Sequence, residues 1–364
     1  MSLCRCESDM PLRDLHIEGV RCIKRLHLQA DARWNWLVGP NGAGKSSVLE
    51  AIHTLGTGQS WRRGLRHLRR DGCQEYLITA HLAQDSADAL IALRRHGEER
   101  DIRYDGRSID SAWSLLDILP IQALNDQNVH FISDNNETRR RILDWGVFYE
   151  NKAYGQILRD YRRLLQQRNA WLKNKYSAQP WDAQLAVMGE QVQQHRQAHL
   201  AALQPLAGQL WQEWTQSAGQ FQISLQPGWK EDLPLLACLA HDRQRDEDLG
   251  FTHSGPHRAN LIFKVAGKPV ADILSRGQLR LLGLSYRLAQ LALLQQRAQV
   301  APVVLLDDFA AELDRQARRW LVERLDALAL QVFAAVTDSE QIPHGHHGHR
   351  FHLREGHLIE GIAA

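Results

Sequence analysis

Gly39, Pro40, Asn41, Gly42, Ala43, Gly44, Lys45 and Ser46 fit the pattern G-x-x-x-x-G-K-[ST], and Ser47 follows them. Such a run is built for phosphate. Glycines let backbone N–H groups curl around phosphate oxygens, and the N-terminus of the following helix adds partial positive charge. Lys45 would reach the β- and γ-phosphates, while the Ser46 hydroxyl would ligate Mg²⁺. The mechanism needs a strand before the loop and a helix after it. Trp34-Asn-Trp-Leu-Val38 is a compact apolar run, and Ser46 to Leu55 carries Val48, Leu49 and Ile52 among good helix formers, so both flanks are as required.

Far downstream, the apolar run Val303-Val-Leu-Leu306 ends in Asp307 and Asp308. A buried strand would deliver both carboxylates to its C-terminal edge, with Asp307 in the Mg²⁺ shell and Asp308 polarising the attacking water. Adjacent acids are usually only solvated; the upstream phosphate loop gives these a shared task. Between the two halves stands Leu274-Ser-Arg-Gly-Gln278, ahead of the helical stretch Leu279 to Leu294. Ser and Gly at a helix N-terminus form either an ordinary cap or a second anion site. A second site makes sense if two subunits pack head to tail, each offering Ser275 to the other's γ-phosphate.

The elements that must carry these residues fall into three stretches. Leu12 to Ile17, Leu26 to Leu28, Tyr76 to Leu82 and Leu90 to Arg94 read as strands. From about Thr138 to Trp214 the chain turns rich in Arg, Gln, Leu and Ala. There Ile157, Tyr161, Leu164 and Trp171 follow one helical stripe, with Leu158, Leu165 and Leu172 beside it. After a break at Ser177 to Pro180, Leu185, Met188, Val192, His195, His199, Ala202 and Leu206 alternate spacings of three and four, as a heptad seam does. Pro205 is expected to kink or end that helix. Mixed character returns from Phe251, with Ala301 to Leu306 and Gln331 to Val336 as strands, Arg315 to Leu330 as a helix and a C-terminal hairpin at His349–Glu355/His357–Ile362. The expectation is one discontinuous α/β domain, residues 1–137 with 251–364, interrupted by a helical insertion over 138–250.

Composition bounds the rest. The chain has 364 residues, 44% hydrophobic and 24% charged, which excludes disorder and fibrous architecture. Lys and Arg number 44 against 42 Asp and Glu, so any basic surface must be local. Cys4, Cys6, Cys22, Cys73 and Cys238 are odd in number and lack a C-x-x-C pair; free thiols are expected. No apolar leader and no run of about 20 apolar residues occurs, so the expectation is a cytoplasmic protein without a membrane partner.

The ordered set Gly39–Ser46, Leu274–Gln278, Val303–Asp308 and Ala311-Glu-Leu-Asp314 resembles the ABC-type ATPases of the SMC group and, more closely, the RecF family. Leu49-Glu-Ala-Ile52, Ser60-Trp-Arg62, Arg139-Arg-Arg-Ile-Leu-Asp144 and Gly255-Pro-His-Arg258 support it. The resemblance implies an ABC-type P-loop ATPase head with an inserted, short coiled-coil-like helical domain. It also implies an ATP-dependent homodimer that binds DNA, single-stranded, duplex and at junctions. ATP and Mg²⁺ are the implied cofactors, and slow hydrolysis reopens the dimer. The family acts at single-strand gaps to help recombinase loading, with RecR as a partner and RecO cooperating.

Carried onto this chain, the resemblance has Gly39 to Ser47 line the nucleotide, Ser46 and Asp307 hold the metal, and Ser275 and Gly277 complete the partner's site. Lys45, Asp308 and a Q-loop glutamine form the catalytic set; Gln127 fits the Q-loop best and Gln122 second. Asp314 falls at the dimer interface, and Arg62 couples nucleotide and DNA sites. Two departures stand out. Asp308 takes the place of the more common Glu, one methylene shorter and compatible with slow turnover. Thr337-Asp338 follows the strand where a transporter-type ATPase has its switch His. The alternative is an ABC-type ATPase subunit driving a membrane or other protein partner. The missing His, the long insertion and the basic helices stand against it. An SMC-like bridging protein would need long heptad arms and a hinge.

Two basic stretches suit DNA phosphates under this resemblance. Trp61 to Arg70 holds five Arg and no acid, with Arg62, Arg63 and Arg66 as contacts. Arg139 to Lys175 holds ten Lys or Arg against three acids, with Arg159, Arg162 and Arg163 as contacts. Cys4-Arg-Cys6 with His16, and His195 with His199, have spacings that could hold a metal, but free thiols and polar helix positions are the expectation. Trp171, Trp211 and Trp214 are expected in the core, and the His-rich stretch His344 to His357 has no assigned task.

Overall fold

The structure is a computed structural model that describes residues 12–62, 64–83, 88–109, 111–125, 130–174, 181–215, 220–298, 300–308 and 313–359. Two compact units result, residues 1–128 with 300–364 and residues 129–299.

The first unit opens with β1 (Asp14–Val20), β2 (Ile23–Gln29), β3 (Trp34–Val38) and helix α1 (Lys45–Thr57). Then come β4 (Glu75–Leu82), β5 (Ala89–His96), β6 (Glu99–Tyr104), β7 (Arg107–Ser108), α2 (Ala112–Ile118) and β8 (Ile121–Ala123). Six of the strands form an antiparallel sheet in the order β2-β1-β4-β5-β6-β7. Its pattern alternates: Tyr76, Ile78, Ala80 and Leu82 of β4 are buried, while the residues between them are half-exposed, as in a sheet with one face on a core.

The second unit holds α3 (Asn136–Glu150), α4 (Lys152–Asn174) and α5 (Asp182–Thr215). Next are β9 (Phe221–Gln226), α6 (Leu235–His241), α7 (Arg243–Leu249), β10 (Asn260–Val265), β11 (Lys268–Pro269), α8 (Val270–Ile273) and α9 (Arg276–Arg297). The expected boundaries at 137 and 251 fall inside this unit. Strand β10 pairs with β9, and α9 packs along α5, so residues 251–299 belong with the helices. Pro205 lies inside α5, which continues to Thr215. The expected heptad seam holds at Leu185, Val192 and His199. The alternate positions of the buried stripe are Gly189, Arg196 and Leu203 rather than Met188, His195 and Ala202. Arg196 is 2% exposed because Nε and Nη2 donate to Asp144 at 2.8 and 3.0 Å and Nη1 donates to the Pro256 carbonyl. A paired cation thus occupies a core position. Trp171 and Trp211 are buried, as expected.

Back in the first unit, β12 (Val303–Leu306), α10 (Arg315–Ala327), β13 (Val332–Val336), β14 (His349–Arg354) and β15 (His357–Leu358) complete the fold. They build a second sheet in the order β15-β14-β3-β13-β12-β8, parallel except at β14–β15. Strands β3, β12 and β13 are buried along their whole length, the continuous apolar run of a parallel sheet. Helix α1 joins the sheets: Val48, Leu49, Ile52 and Leu55 share one core with Leu15, Ile17 and Ile78 of the first sheet and Leu37, Leu305 and Phe333 of the second. No helix among the described residues is long and apolar enough to cross a membrane.

Candidate phosphate-binding site

Strand β13 lies between β3 and β12, so the loop after β3 and the two aspartates after β12 open at the same sheet edge. The loop needs its glycines. A Cβ at Gly39 would lie 2.3 Å from the Leu353 carbonyl oxygen. Gly44 adopts φ 105° at the N-cap of α1, in backbone space that favours glycine. The turn after β14 braces the loop from below, with the Gly356 N–H donating to the Ala43 carbonyl at 3.0 Å.

Lys45 is 6% exposed. Its Nζ donates to the carbonyls of Gly39 and Pro40 at 2.6 and 3.0 Å. Burial pulls its pKa below the usual lysine value, while the nearby charges of Asp308 and Asp307 oppose that shift. Ser46 Oγ donates to Asp307 Oδ1 at 2.8 Å, and Arg62 Nη2 pairs with Asp307 Oδ2 at 3.2 Å. Burial raises the Asp307 pKa, the Ser46 hydrogen bond lowers it, and Asp308 raises it again. Asp308 is exposed, at φ 51°. Four residues singled out from distant stretches, Lys45, Ser46, Arg62 and Asp307, therefore meet here, with Asp308 beside them. Ser46 and Asp307 present hard oxygen donors, which suit Mg²⁺ and not a soft ion. A Cβ at Gly42 would meet nothing within 4 Å, so the loop's outer side is open to a phosphate.

Sequence reasoning missed the support beneath the loop. Glu50 on α1 is fully buried and accepts from Arg21 Nη2 and Nε at 3.2 and 3.3 Å and from Ser60 Oγ at 2.5 Å. Cys22 Sγ lies 3.7 Å from Ser47 Oγ. The one local clue was a carboxylate inside the apolar stripe of α1.

The remaining described residues make local contacts of their own. Ser275 caps α9 and is exposed. Its hydroxyl accepts from the Gln278 N–H at 3.3 Å, while the Gln278 side chain accepts from the Ser275 N–H at 2.9 Å, a complete capping box. Gly277 follows in the first turn, exposed. Gln127 and Arg63 lie outside the described residues, as do Ala311 and Glu312. Gln122 is buried in β8, paired with Val304. Asp314 caps α10 by accepting from the Ala317 N–H at 2.8 Å.

The basic stretches divide. Arg66 lines a polar pocket of about 300 Å³ with Arg21, His67, Arg69 and Arg70. On α4, Arg162 and Arg163 are exposed and Arg159 is half-exposed. Arg162 Nη2 is 3.7 Å from Asp144, Arg163 is 3.5 Å from Asp160, and Arg159 donates to Gln156 at 2.6 Å. Arg139, Arg140 and Arg168 are committed internally, to the carbonyls of Leu261 and Ala259 and to Asp182 and Asp246. The charge excess of the second stretch therefore overstates its free cations.

The family model for the RecF/RecN/SMC N terminal domain matches residues 11–356. The DNA replication and repair protein RecF of Vibrio vulnificus is 35% identical over 97% of this chain and 100% of its own length. The RecF protein of Thioalkalivibrio sulfidiphilus is 36% identical over 92% of this chain and 94% of its own. Among solved structures, the recombination mediator protein RecF with ATP, from the RecFOR pathway, superposes with a TM-score of 0.87 at 23% identity, covering 98% of this chain and 99% of that one. An Smc head bound to the C-winged helix domain of ScpA follows at 0.61 and 15%, with 96% of each chain covered. The shared fold is that of the ABC-type ATPase heads of RecF and Smc proteins. On sequence and fold together, the chain belongs to the RecF family of DNA replication and repair proteins.

Proposed function

We propose that this chain is an ATP-dependent DNA clamp of recombinational repair and replication restart, a homodimer that closes on ATP and acts at single-strand gaps and junctions. The observation that carries the reading is the union of Lys45, Ser46, Asp307 and Arg62 at one sheet edge. The loop N–H groups and Lys45 would cradle the phosphates of ATP, and Ser46 with Asp307 would hold Mg²⁺. Bound Mg²⁺ neutralises charge on the phosphate oxygens. Asp308 orients and polarises the attacking water, and its short, exposed side chain is consistent with slow turnover. Arg62 is bound to the same carboxylate as Ser46, so a shift at the nucleotide reaches the start of the basic segment Arg62–Arg70.

Closure in this reading puts Ser275 and Gly277 of one subunit against the partner's nucleotide. DNA phosphates then meet Arg62, Arg66 and the exposed arginines of α4. RecR is the proposed partner, with RecO cooperating, in line with the RecFOR pathway to which the similar RecF structures belong. The deciding experiment measures DNA binding with ATP, ADP and no nucleotide on single-stranded, duplex and junction substrates. The reading expects ATP alone to tighten binding. Equal affinity in all three states would refute it.

A further inference from the structure

Strands β1 and β2 set His16 directly opposite His27, with Asp14 two residues before His16. Directly opposed residues of an antiparallel pair share a face, as do residues i and i+2 of one strand. Asp14, His16 and His27 therefore stand together on the outer face, alternating with Leu15, Ile17, Leu26 and Leu28 in the core. The ordinary device on such a face is an opposite-charge pair, as Glu18 makes with Arg25 at 2.8 Å one step along. Here two imidazoles face each other instead. Their rings stack with centroids 4.0 Å apart and planes 4° apart. Both Nε2 atoms turn to one oxygen: Asp14 Oδ1 is 2.5 Å from His27 and 3.5 Å from His16.

Among the described residues, this is the one group of three His, Cys, Asp or Glu side chains whose ligand atoms all lie within 4.8 Å of one another. We propose that Asp14, His16 and His27 form a binding site for a divalent transition ion of the Zn²⁺ class. Two imidazole nitrogens and one carboxylate oxygen make a borderline donor set, suited to Zn²⁺ or Co²⁺ and not to Mg²⁺ or Ca²⁺. Donors that share such an ion at about 2.1 Å are at most ~4.2 Å apart. Binding therefore asks these exposed side chains to rotate so that the three donors converge on the ion. Both imidazoles are 47% exposed, so water completes the coordination. Asp14 also borders a hollow of about 470 Å³ shared with Arg13, Gln29, His81 and Asp88, which gives water a route to the carboxylate side.

The ion would tie β2, the edge strand of its sheet, to β1. The turn between these strands carries Arg21 and Cys22, the residues that hold Glu50 and contact Ser47 under the phosphate loop. The site is thus separate from the nucleotide residues and clamps the hairpin that supports them.

The test titrates the full chain, purified without a histidine tag, with Zn²⁺ alone against a chromogenic chelator and with Co²⁺ alone by visible absorption. Wild type is compared with His16→Gln, His27→Gln and Asp14→Asn. A His344→Ala/His347→Ala control is included because the His-rich loop also offers imidazoles to such ions. The side chains are on a solvated face, and the melting temperature of each variant without metal checks its fold. One stoichiometric site should vanish in both hairpin histidine variants, weaken at least ~10-fold in Asp14→Asn and persist in the control. Zn²⁺ one hundred-fold above its dissociation constant should raise the wild-type melting temperature by roughly 5 °C, and not that of the hairpin variants. Equal stoichiometry and equal melting response in wild type and His16→Gln would overturn the site. So would loss confined to the His344→Ala/His347→Ala control.

Discussion

In the proposed function the chemistry turns on Lys45 and Asp308, and each gives a separable test. Lys45 holds a charge that burial disfavours and two carboxylates favour. Lys45→Ala removes that cation, so ATP affinity should fall at least ~10-fold, the worth of a hydrogen bond to a charged group. Titration with a fluorescent ATP analogue measures this, and undiminished affinity removes Lys45 from the phosphates. Asp308→Asn keeps the shape but cannot take a proton. ATP should bind as before while turnover drops about 100-fold or more, the usual worth of a general base. Wild-type turnover would assign the water to another residue. Both residues were legible in the sequence because their motifs are local: a loop with fixed spacing, and two acids ending an apolar strand. Arg21, Cys22 and Ser60 were not, because they reach Glu50 and Ser47 only when the β1–β2 turn and the segment after α1 fold onto that helix. The five-arginine segment was legible as charge, but the pocket that Arg66, Arg69 and Arg70 line with Arg21 depends on the same folding.

At the scale of elements, periodicity located helices and strands well and misjudged what fills their buried faces. The α5 seam was read from apolar residues with two histidines, His195 and His199, admitted, so Arg196 was passed over, although Asp144 makes that position as core-like as Leu203. The sheet β11-β10-β9 went unseen because its strands are short and meet across the whole of residues 227–259. That sheet and the turn before β10 draw residues 251–299 into the helical unit. His257 in this turn reports on the packing. Tyr161 Oη lies 2.6 Å from His257 Nδ1, and His257 Nε2 lies 3.0 Å from the Thr252 carbonyl, which can only accept. Nε2 therefore carries a proton, and the neutral ring that burial favours accepts the Tyr161 hydroxyl at Nδ1. Burial lowers its pKa from 6.5 to about 4. The unfolded chain then binds the extra proton between these values, so stability is full above pH 6.5 and lost as pH falls toward 4. The loss from this residue is about 3 kcal/mol. His257→Gln cannot titrate. It should be less stable than wild type at pH 7.5, with a shallower further loss down to pH 4.5. Urea unfolding at a series of pH values measures both slopes, and parallel slopes would remove His257 from the acid response.

For the whole molecule, the open question is whether Ser275 is only a helix cap or half of a nucleotide site that two chains complete. The capping box at Ser275 and Gln278 is fully formed within one chain, so the cap is present whichever answer holds. The two functions nevertheless predict different things for Ser275→Arg. Loss of the cap alone costs about 1 kcal/mol, which lowers the melting temperature and leaves assembly untouched. If Ser275 meets the partner's γ-phosphate, the same substitution puts bulk and charge into the closed interface. Each chain should still bind ATP through Gly39–Ser46, while ATP-dependent dimerisation and ATP-stimulated DNA binding fail. Mixing Ser275→Arg with Lys45→Ala sharpens the distinction. In a head-to-tail heterodimer, the intact phosphate loop of one chain faces the intact Ser275 of the other, and the second site carries both defects. One working site in two should restore partial hydrolysis that neither variant shows alone. If each site belonged to a single chain, every site in the mixture would keep one defect and nothing would return. Sedimentation with a non-hydrolysable ATP analogue, alongside the mixed ATPase assay, reads both outcomes. A Ser275→Arg chain that dimerises as wild type, or a mixture that stays inactive, would overturn the shared site.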